Sequence, residues 1–343
     1  MSSPALSDAP VSPAPSPPSP EDATASSSSR PPKKRMLIIV NPYATTVSDR
    51  LKNLVVYALQ GRFEVEAVTT EAQNHATEIG REAIDGGYDI VVAFGGDGTL
   101  NEVVNGLAGT DIPISVLPGG STNVVARSLG IPNDVVDATE HLLNCADDFQ
   151  PRRIDLGIAN GRRFVFACGA GLDATAAHQV DSHPKMKHRF GPYYYSWAAV
   201  KGFYGSYLRN PIQMKVASDQ GEAEGVTAIC QNTDPFTYFR GREIRISQNI
   251  EIDDGKLSLA VLHKAAQRDV PFIARRVLGK RPSAGDHRRI DVFDGITEAR
   301  IESASKNEDG TWRQFPVQLD GDPIGLHGEL ELKVDPAAIS FVS

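Results

Sequence analysis

The chain has 343 residues, of which 41% are hydrophobic and 23% charged, so it is an ordinary globular sequence large enough for one large or two medium domains. A net charge of −8 and a pI near 5.5 argue against a nucleic-acid partner, which a basic surface excess would accompany. Three widely spaced cysteines, Cys145, Cys168 and Cys230, form neither a disulfide framework nor a zinc pattern and read as buried free thiols.

Residues 1–35 are mostly Pro, Ser and Ala, hold no apolar stretch of signal-peptide length, and read as a disordered tail. No run approaches the roughly 20 apolar residues of a membrane-spanning helix. The expected location is therefore cytoplasmic, or peripheral on the inner face of a membrane. From Met36 onward strands and helices alternate. MLIIVNP is a short apolar run closed by a turn, VSDRLKNLVVYAL has helical spacing, FEVEAVTT alternates as a strand, and HATEIGREAIDGG is a helix closed by glycine. YDIVVAF then reads as a buried strand, TLNEVVNGL as a helix with Leu100, Val103, Val104 and Leu107 on one face, and DIPISVLP as another strand.

Such alternation predicts a doubly wound parallel sheet covered on both faces, with ligands outside the carboxyl ends of its strands. The segments at those ends are NPYATT, TTEAQNH, GGDGT and PGGSTN. Each offers glycines, hydroxyls or amides where backbone N–H groups and a helix N-terminus can meet an anion, and four such turns on one edge suit a nucleotide triphosphate. Glycine also serves strand-to-helix turns simply because positive φ is needed there.

After Pro151 come RRIDLGIANGRRFVFACG, a helical stretch, and many short runs such as IQMKVAS, VTAICQN, EIRISQN, KLSLAVL, EARIES, FPVQLDG and LELKVD. Short strands separated by turn residues predict a mostly antiparallel β domain to which the final strand returns. The boundaries expected are a tail at 1–35, an α/β nucleotide-binding domain at 36–150 and a β domain at 151–343 that completes the active site and the acceptor site.

GGDGTLNEVVNGL, TTEAQNHATEIGREAI before it and LPGGSTNVVARSLGIP after it, together with FACGAGLDA, IEIDDGKLSLAVLHK and LDGDPI, resemble the diacylglycerol kinase catalytic domain family. That family includes sphingosine, ceramide and bacterial lipid kinases and is related in fold to the NAD kinases and phosphofructokinase. The resemblance runs from about Met36 to the C-terminus and implies an α/β domain followed by a β-sandwich domain, with ATP in the cleft between them. It implies a Mg²⁺-dependent transfer of phosphate to a lipid hydroxyl, that of diacylglycerol or of a long-chain base. A NAD kinase-like enzyme and a non-catalytic nucleotide-binding regulator are the alternatives.

Carried over by this resemblance, Asp97 is the metal-side carboxylate, Asp320 the general base and Asp322 its assistant, with Asp standing where bacterial members have Glu. Without the family, DGD is as readily a hairpin turn. Nucleotide contacts are implied for Asn41, Thr70, Gly95, Gly96, Gly98, Thr99, Glu102, Gly120, Ser121 and Thr122, although His75 and Glu102 read equally as a helix-surface residue and a capping residue. Val124 replaces the Asp of the family's Asn-Asp pair after Asn123, and NPYAT lacks the glycine common there. Two stretches mix cations with aromatics or cluster them, residues 183–211 and 274–289, and suit contact with a membrane surface, although aromatics at helical spacing also suit a core.

Overall fold

The computed structural model describes residues 32–146, 149–172, 174, 211–239, 241–247, 250–264, 276 and 285–343. Residues 1–31 of the tail, 183–210 of the aromatic-basic segment, and 274, 275 and 277–284 of the basic stretch 274–289 lie outside the described residues. The first half alternates as expected: β1 (Arg35–Val40), α1 (Asp49–Leu59), β2 (Glu64–Thr69), α2 (His75–Ala83), β3 (Ile90–Gly95), α3 (Asp97–Leu107) and β4 (Ile114–Pro118). A short α4 (Val124–Ser128) and α5 (Val135–Cys145) follow. The four strands lie parallel in the order β2-β1-β3-β4. β3 is buried at every position and β1 at every position but its first, whereas β2, at the sheet edge, buries none, which is why only the first two read as continuous apolar runs.

α2 and α3 cover this sheet side by side. Leu100, Val103, Val104 and Leu107 of α3 are fully buried, each contributing about 2 kcal/mol of transfer energy. The two helices approach through glycines: a Cβ on Gly106 would stand 2.7 Å from the Thr77 carbonyl oxygen and 3.1 Å from the Gly80 Cα. Close packing at this point is what holds α3, and the loop before it, in register with its neighbour.

The second half is built of strands: β5 (Arg152–Ala159), β6 (Arg162–Phe164), β7 (Ala167–Gly171), β8 (Met214–Ser218), β9 (Gly221–Gly225), β10 (Thr227–Gln231), β11 (Thr237–Phe239), β12 (Arg242–Ile244), β13 (Leu257–Leu262), β14 (Ile290–Ile296), β15 (Glu298–Ser303), β16 (Phe315–Leu319), β17 (Asp322–His327) and β18 (Glu329–Phe341). β14-β13-β10-β7-β16-β17 form one antiparallel sheet, and β11 and β12 a separate small hairpin. Facing it, β18, β15, β8 and β9, with β5 and β6, supply Phe164, Met214, Val216, Ile301, Leu330 and Leu332 to the same core as Leu257, Leu259, Val261, Phe315 and Val317. The fold is α/β plus a β-sandwich. Cys168 and Cys230 sit opposite each other in β7 and β10, buried and not joined in a disulfide, and burial pushes the Cys230 thiol up to about 12.

The final strand does more than return to the sandwich. The first part of β18 pairs antiparallel with β15, Glu298 opposite Lys333 through Glu302 opposite Glu329, while its last residue, Phe341, pairs parallel with Ile114 of β4. One ten-stranded sheet therefore runs from β2 through β18 to β9. No helix among the described residues is long and apolar enough to cross a membrane.

Candidate active site

The carboxyl ends of β1, β3 and β4 bring three of the four polar turns together. Asn41 donates its backbone N–H to the Phe94 carbonyl (2.9 Å) and its side-chain amide to the Thr99 hydroxyl (2.9 Å), tying the β1 turn to the first turn of α3. The Gly119 N–H donates to the Gly95 carbonyl at 2.7 Å, and the Thr46 N–H to the Gly119 carbonyl at 3.0 Å. GGDGT and PGGST then touch glycine to glycine, since a Cβ on Gly120 would lie 2.8 Å from the Gly96 Cα. Gly95 is needed for a different reason: a Cβ there would lie 2.5 Å from the Thr99 hydroxyl oxygen. At the N-terminus of α3 the cap residue is Gly96, and no side chain caps the helix. That leaves first-turn N–H groups and the positive end of the helix dipole for an anion.

Asp97 opens α3 but serves α4. Its carboxylate accepts from the Val124 N–H (3.0 Å) and the Val125 N–H (3.3 Å), doing for α4 what Asn123, left-handed at φ 49° and without a capping side-chain bond, does not. Asn123 instead closes PGGST on itself, accepting from the Gly120 N–H and donating to the Gly120 carbonyl, both at 2.9 Å. The Asp97 carboxyl is pushed up to about 6, first by burial and further by the charges of Asp320 and Asp322, against the two backbone bonds that favour its ionised form.

Of the other residues read from the sequence, Thr70 is buried at the end of β2, its N–H donating to the Val40 carbonyl at 2.8 Å. Ser121 is exposed and Thr122 partly buried in the turn before α4. Glu102 takes the capping role of its two readings. Its carboxylate accepts from the Asn74 N–H (2.8 Å) and the Ala76 N–H (3.1 Å), so it faces α2 and not the glycine loops. His75 stays local, accepting at Nδ1 from the Glu71 N–H at 3.0 Å.

DGD forms the tight turn that was one of its two readings in the sequence. Leu319 pairs with Asp322 across a two-residue hairpin whose central residues, Asp320 and Gly321, stand at φ 49° and 88°, as the primed turns of tight hairpins require. The hairpin also points at the GGDGT loop: a Cβ on Gly98 would stand 2.5 Å from Asp322 Oδ2, so a side chain there would displace that carboxylate. Asp320 is buried and accepts four hydrogen bonds. Oδ1 takes the N–H groups of Phe166 (2.9 Å) and Ala167 (3.0 Å), and Oδ2 takes the Val165 N–H and the Asn101 amide, both at 2.7 Å. Burial nevertheless holds its carboxyl above the usual range, those four donors opposing the shift.

Asn101 escaped the sequence reading. It is 1% exposed, and its amide also donates to the Arg163 carbonyl at 3.0 Å. Asn105, one turn on, binds both backbone groups of Arg163, donating to its carbonyl and accepting from its N–H, each at 3.0 Å. The signal was the stripe Asp97, Asn101, Asn105 at four-residue spacing, polar side chains on one line of an otherwise apolar helix. Among the described residues no group of three carboxylates, imidazoles or thiols is arranged to hold a metal ion unaided.

A parallel-sheet edge of glycine loops, met by a carboxylate-bearing hairpin from a β-sandwich, is an arrangement that suits phosphoryl transfer. Residues 35–157 match the family model described as diacylglycerol kinase catalytic domain. The diacylglycerol kinase of Bacillus subtilis (strain 168) is 31% identical over 306 residues, covering 87% of this chain and 96% of that protein. That of Staphylococcus aureus (strain MRSA252) is 29% identical over 312 residues, covering 88% and 92%. The crystal structure of a diacylglycerol kinase from Bacillus anthracis str. Sterne shares the fold, with a TM-score of 0.66 at 19% identity over 91% of this chain and 98% of that one. The chain belongs to the diacylglycerol kinase family, and it is a kinase with ATP as the phosphoryl donor which that family implies.

Proposed function

We propose that the protein transfers the γ-phosphate of ATP to the free hydroxyl of diacylglycerol, giving phosphatidic acid. The observation that carries this reading is the meeting of GGDGT with the DGD hairpin at Gly98 and Asp322, in a chain whose relatives are named diacylglycerol kinase. In it, residues 36–150 hold the nucleotide and residues 151–343 complete the site and receive the acceptor. Asn41, Thr70, Gly95, Gly96, Gly98, Thr99, Gly120, Ser121 and Thr122 line or support the triphosphate side, and Glu102 holds α2 in place behind them.

Mg²⁺ fits Asp97. Its carboxyl is half-neutralised near pH 6 by burial and by the charges of Asp320 and Asp322, a combination a cation would relieve. Bound there, the ion would neutralise charge on the phosphates. Asp97 also keeps PGGST in place through α4, so loss of its side chain would disturb loop and cation together. Diacylglycerol resides in bilayers, so peripheral contact with the inner face of the membrane, from the cytoplasm, is part of the proposal.

Purified protein is incubated with labelled ATP and diacylglycerol in mixed micelles, with sphingosine and NAD in parallel reactions. The expected result is label in phosphatidic acid, abolished by EDTA and restored by Mg²⁺. Label in sphingosine phosphate or in NADP, with none in phosphatidic acid, would replace this reading.

A further inference from the structure

The five residues of α4 are too few to stand as a helix alone, so contacts from elsewhere decide where it sits. Val124, Val125 and Ala126 are buried in the core, and Asp97 holds the first two N–H groups. The two residues left, Arg127 and Ser128, both reach one side chain of the second half, Tyr238. The Arg127 guanidinium lies over the Tyr238 ring, 4.5 Å from its centroid, and the Ser128 and Tyr238 hydroxyls are hydrogen-bonded to each other.

We propose that Tyr238 is a positioning residue for nucleotide binding: the β11–β12 hairpin clamps α4 through Arg127 and Ser128 and thereby fixes the PGGST turn, which runs straight into α4. The proposal rests on the kinase reading above, with PGGST on the triphosphate side.

Three observations carry it. The β11–β12 hairpin belongs to neither large sheet, yet Phe236 and Tyr238 pack against the core cluster that holds Val124, Val125 and Ala126, and Phe236 packs also against Ile246 and Ala260 of the second half. The hairpin therefore spans the two. It is also stiff. The Phe236 N–H donates to the Ile244 carbonyl at 3.0 Å, and Arg245 ties Asp234, before β11, to Glu243 of β12, reaching Glu243 at 2.8 and 3.1 Å. Glu243 stands opposite Tyr238 in the hairpin, so the brace sits at the clamp itself. Finally, the Arg127 Nε is buried without a hydrogen-bond partner among the described residues, and the Tyr238 ring is what steadies that guanidinium.

The consequence reaches the site because PGGST meets GGDGT glycine to glycine, Gly120 against Gly96, with the Gly119 N–H bound to the Gly95 carbonyl. A shift of α4 displaces the turn that carries Ser121 and Thr122. Tyr238 acts through α4 and need not touch the nucleotide.

The test is steady-state kinetics of the full-length protein, with MgATP varied at saturating diacylglycerol in mixed micelles. Tyr238→Phe keeps the ring beneath Arg127 and should leave KM for ATP within about twofold. Tyr238→Leu keeps apolar bulk but offers the cation no π face. It should raise that KM about tenfold with kcat within about twofold, the pattern of an interaction made equally in ground and transition states. Arg127→Ala should do the same, and the double variant should be no worse than either single one. A Tyr238→Leu enzyme with the KM of Tyr238→Phe would show that the residue only fills space, and additive effects would show that the two side chains act apart; either result overturns the proposal. If the wild type phosphorylates no lipid, the functional reading fails by itself, and calorimetric titration with MgADP then decides the clamp. Binding about tenfold weaker in Tyr238→Leu supports it. Binding equal to that of Tyr238→Phe, or none by the wild type, removes it.

Discussion

Any change at Asp97 reaches α4 before it reaches a ligand, because both carboxylate oxygens accept from that helix's first N–H groups. The same carboxylate is held up to about 6 from 3.8, so the folded state binds its proton more tightly than the unfolded chain does. The sign follows: its contribution is most favourable below pH 3.8 and is lost as pH rises through about 6, with a full span of about 3 kcal/mol. In Asp97→Asn this dependence disappears. Without added cation, the stability of the wild type relative to Asp97→Asn should fall between pH 4 and 7, and Mg²⁺ should restore it at pH 7 in the wild type alone. Denaturation curves across that range, with and without Mg²⁺, measure both effects; a difference that does not change with pH would remove the perturbed carboxyl.

Helix α2 illustrates how an element depends on a residue outside itself. Its N-cap position is Asn74, at φ 67° with no capping side-chain bond, and Glu102 of α3 supplies the missing acceptors from across the helix pair. Glu102→Ala should therefore cost about 1 kcal/mol of stability while leaving KM for ATP within about twofold. A large rise in that KM with unchanged stability would return Glu102 to the nucleotide. The α2–α3 pair also explains why Gly106 is where it is: a Cβ there would press on the Thr77 carbonyl and the Gly80 Cα and push the helices apart.

At the scale of the molecule, β18 decides how the halves behave. It adds its C-terminal end to the parallel strands at Ile114 and its N-terminal part to the sandwich through β15, while β5 pairs along both parts. The described residues from 34 onward pack as one compact unit, and Phe341, fully buried, lies at the junction. Unfolding should therefore give a single calorimetric transition. Phe341→Ala should shift that transition as a whole, at a cost of about 3–5 kcal/mol. Two separated transitions, with only one displaced by the substitution, would show the halves to be independent.

What the amino-acid sequence determined alone was whatever short-range periodicity can carry. Alternating strands and helices up to residue 129 require a parallel sheet, and a parallel sheet collects the turns NPYATT, GGDGT and PGGSTN at one edge, so the glycine turns and Asp97 were legible as a candidate site. The short β runs after Pro151 were legible for the same reason, and DGD could be read as a turn or as chemistry. Tertiary structure alone decided what surrounds each carboxylate. The donors to Asp320 come from residues 101 and 165–167, more than 150 positions earlier, and those to Asp97 from residues 124 and 125. Three of the four on Asp320 and both on Asp97 are backbone N–H groups, which every residue except proline possesses and which leave no mark in a sequence. Burial raises both carboxyls while the donors oppose it, and only folding fixes either.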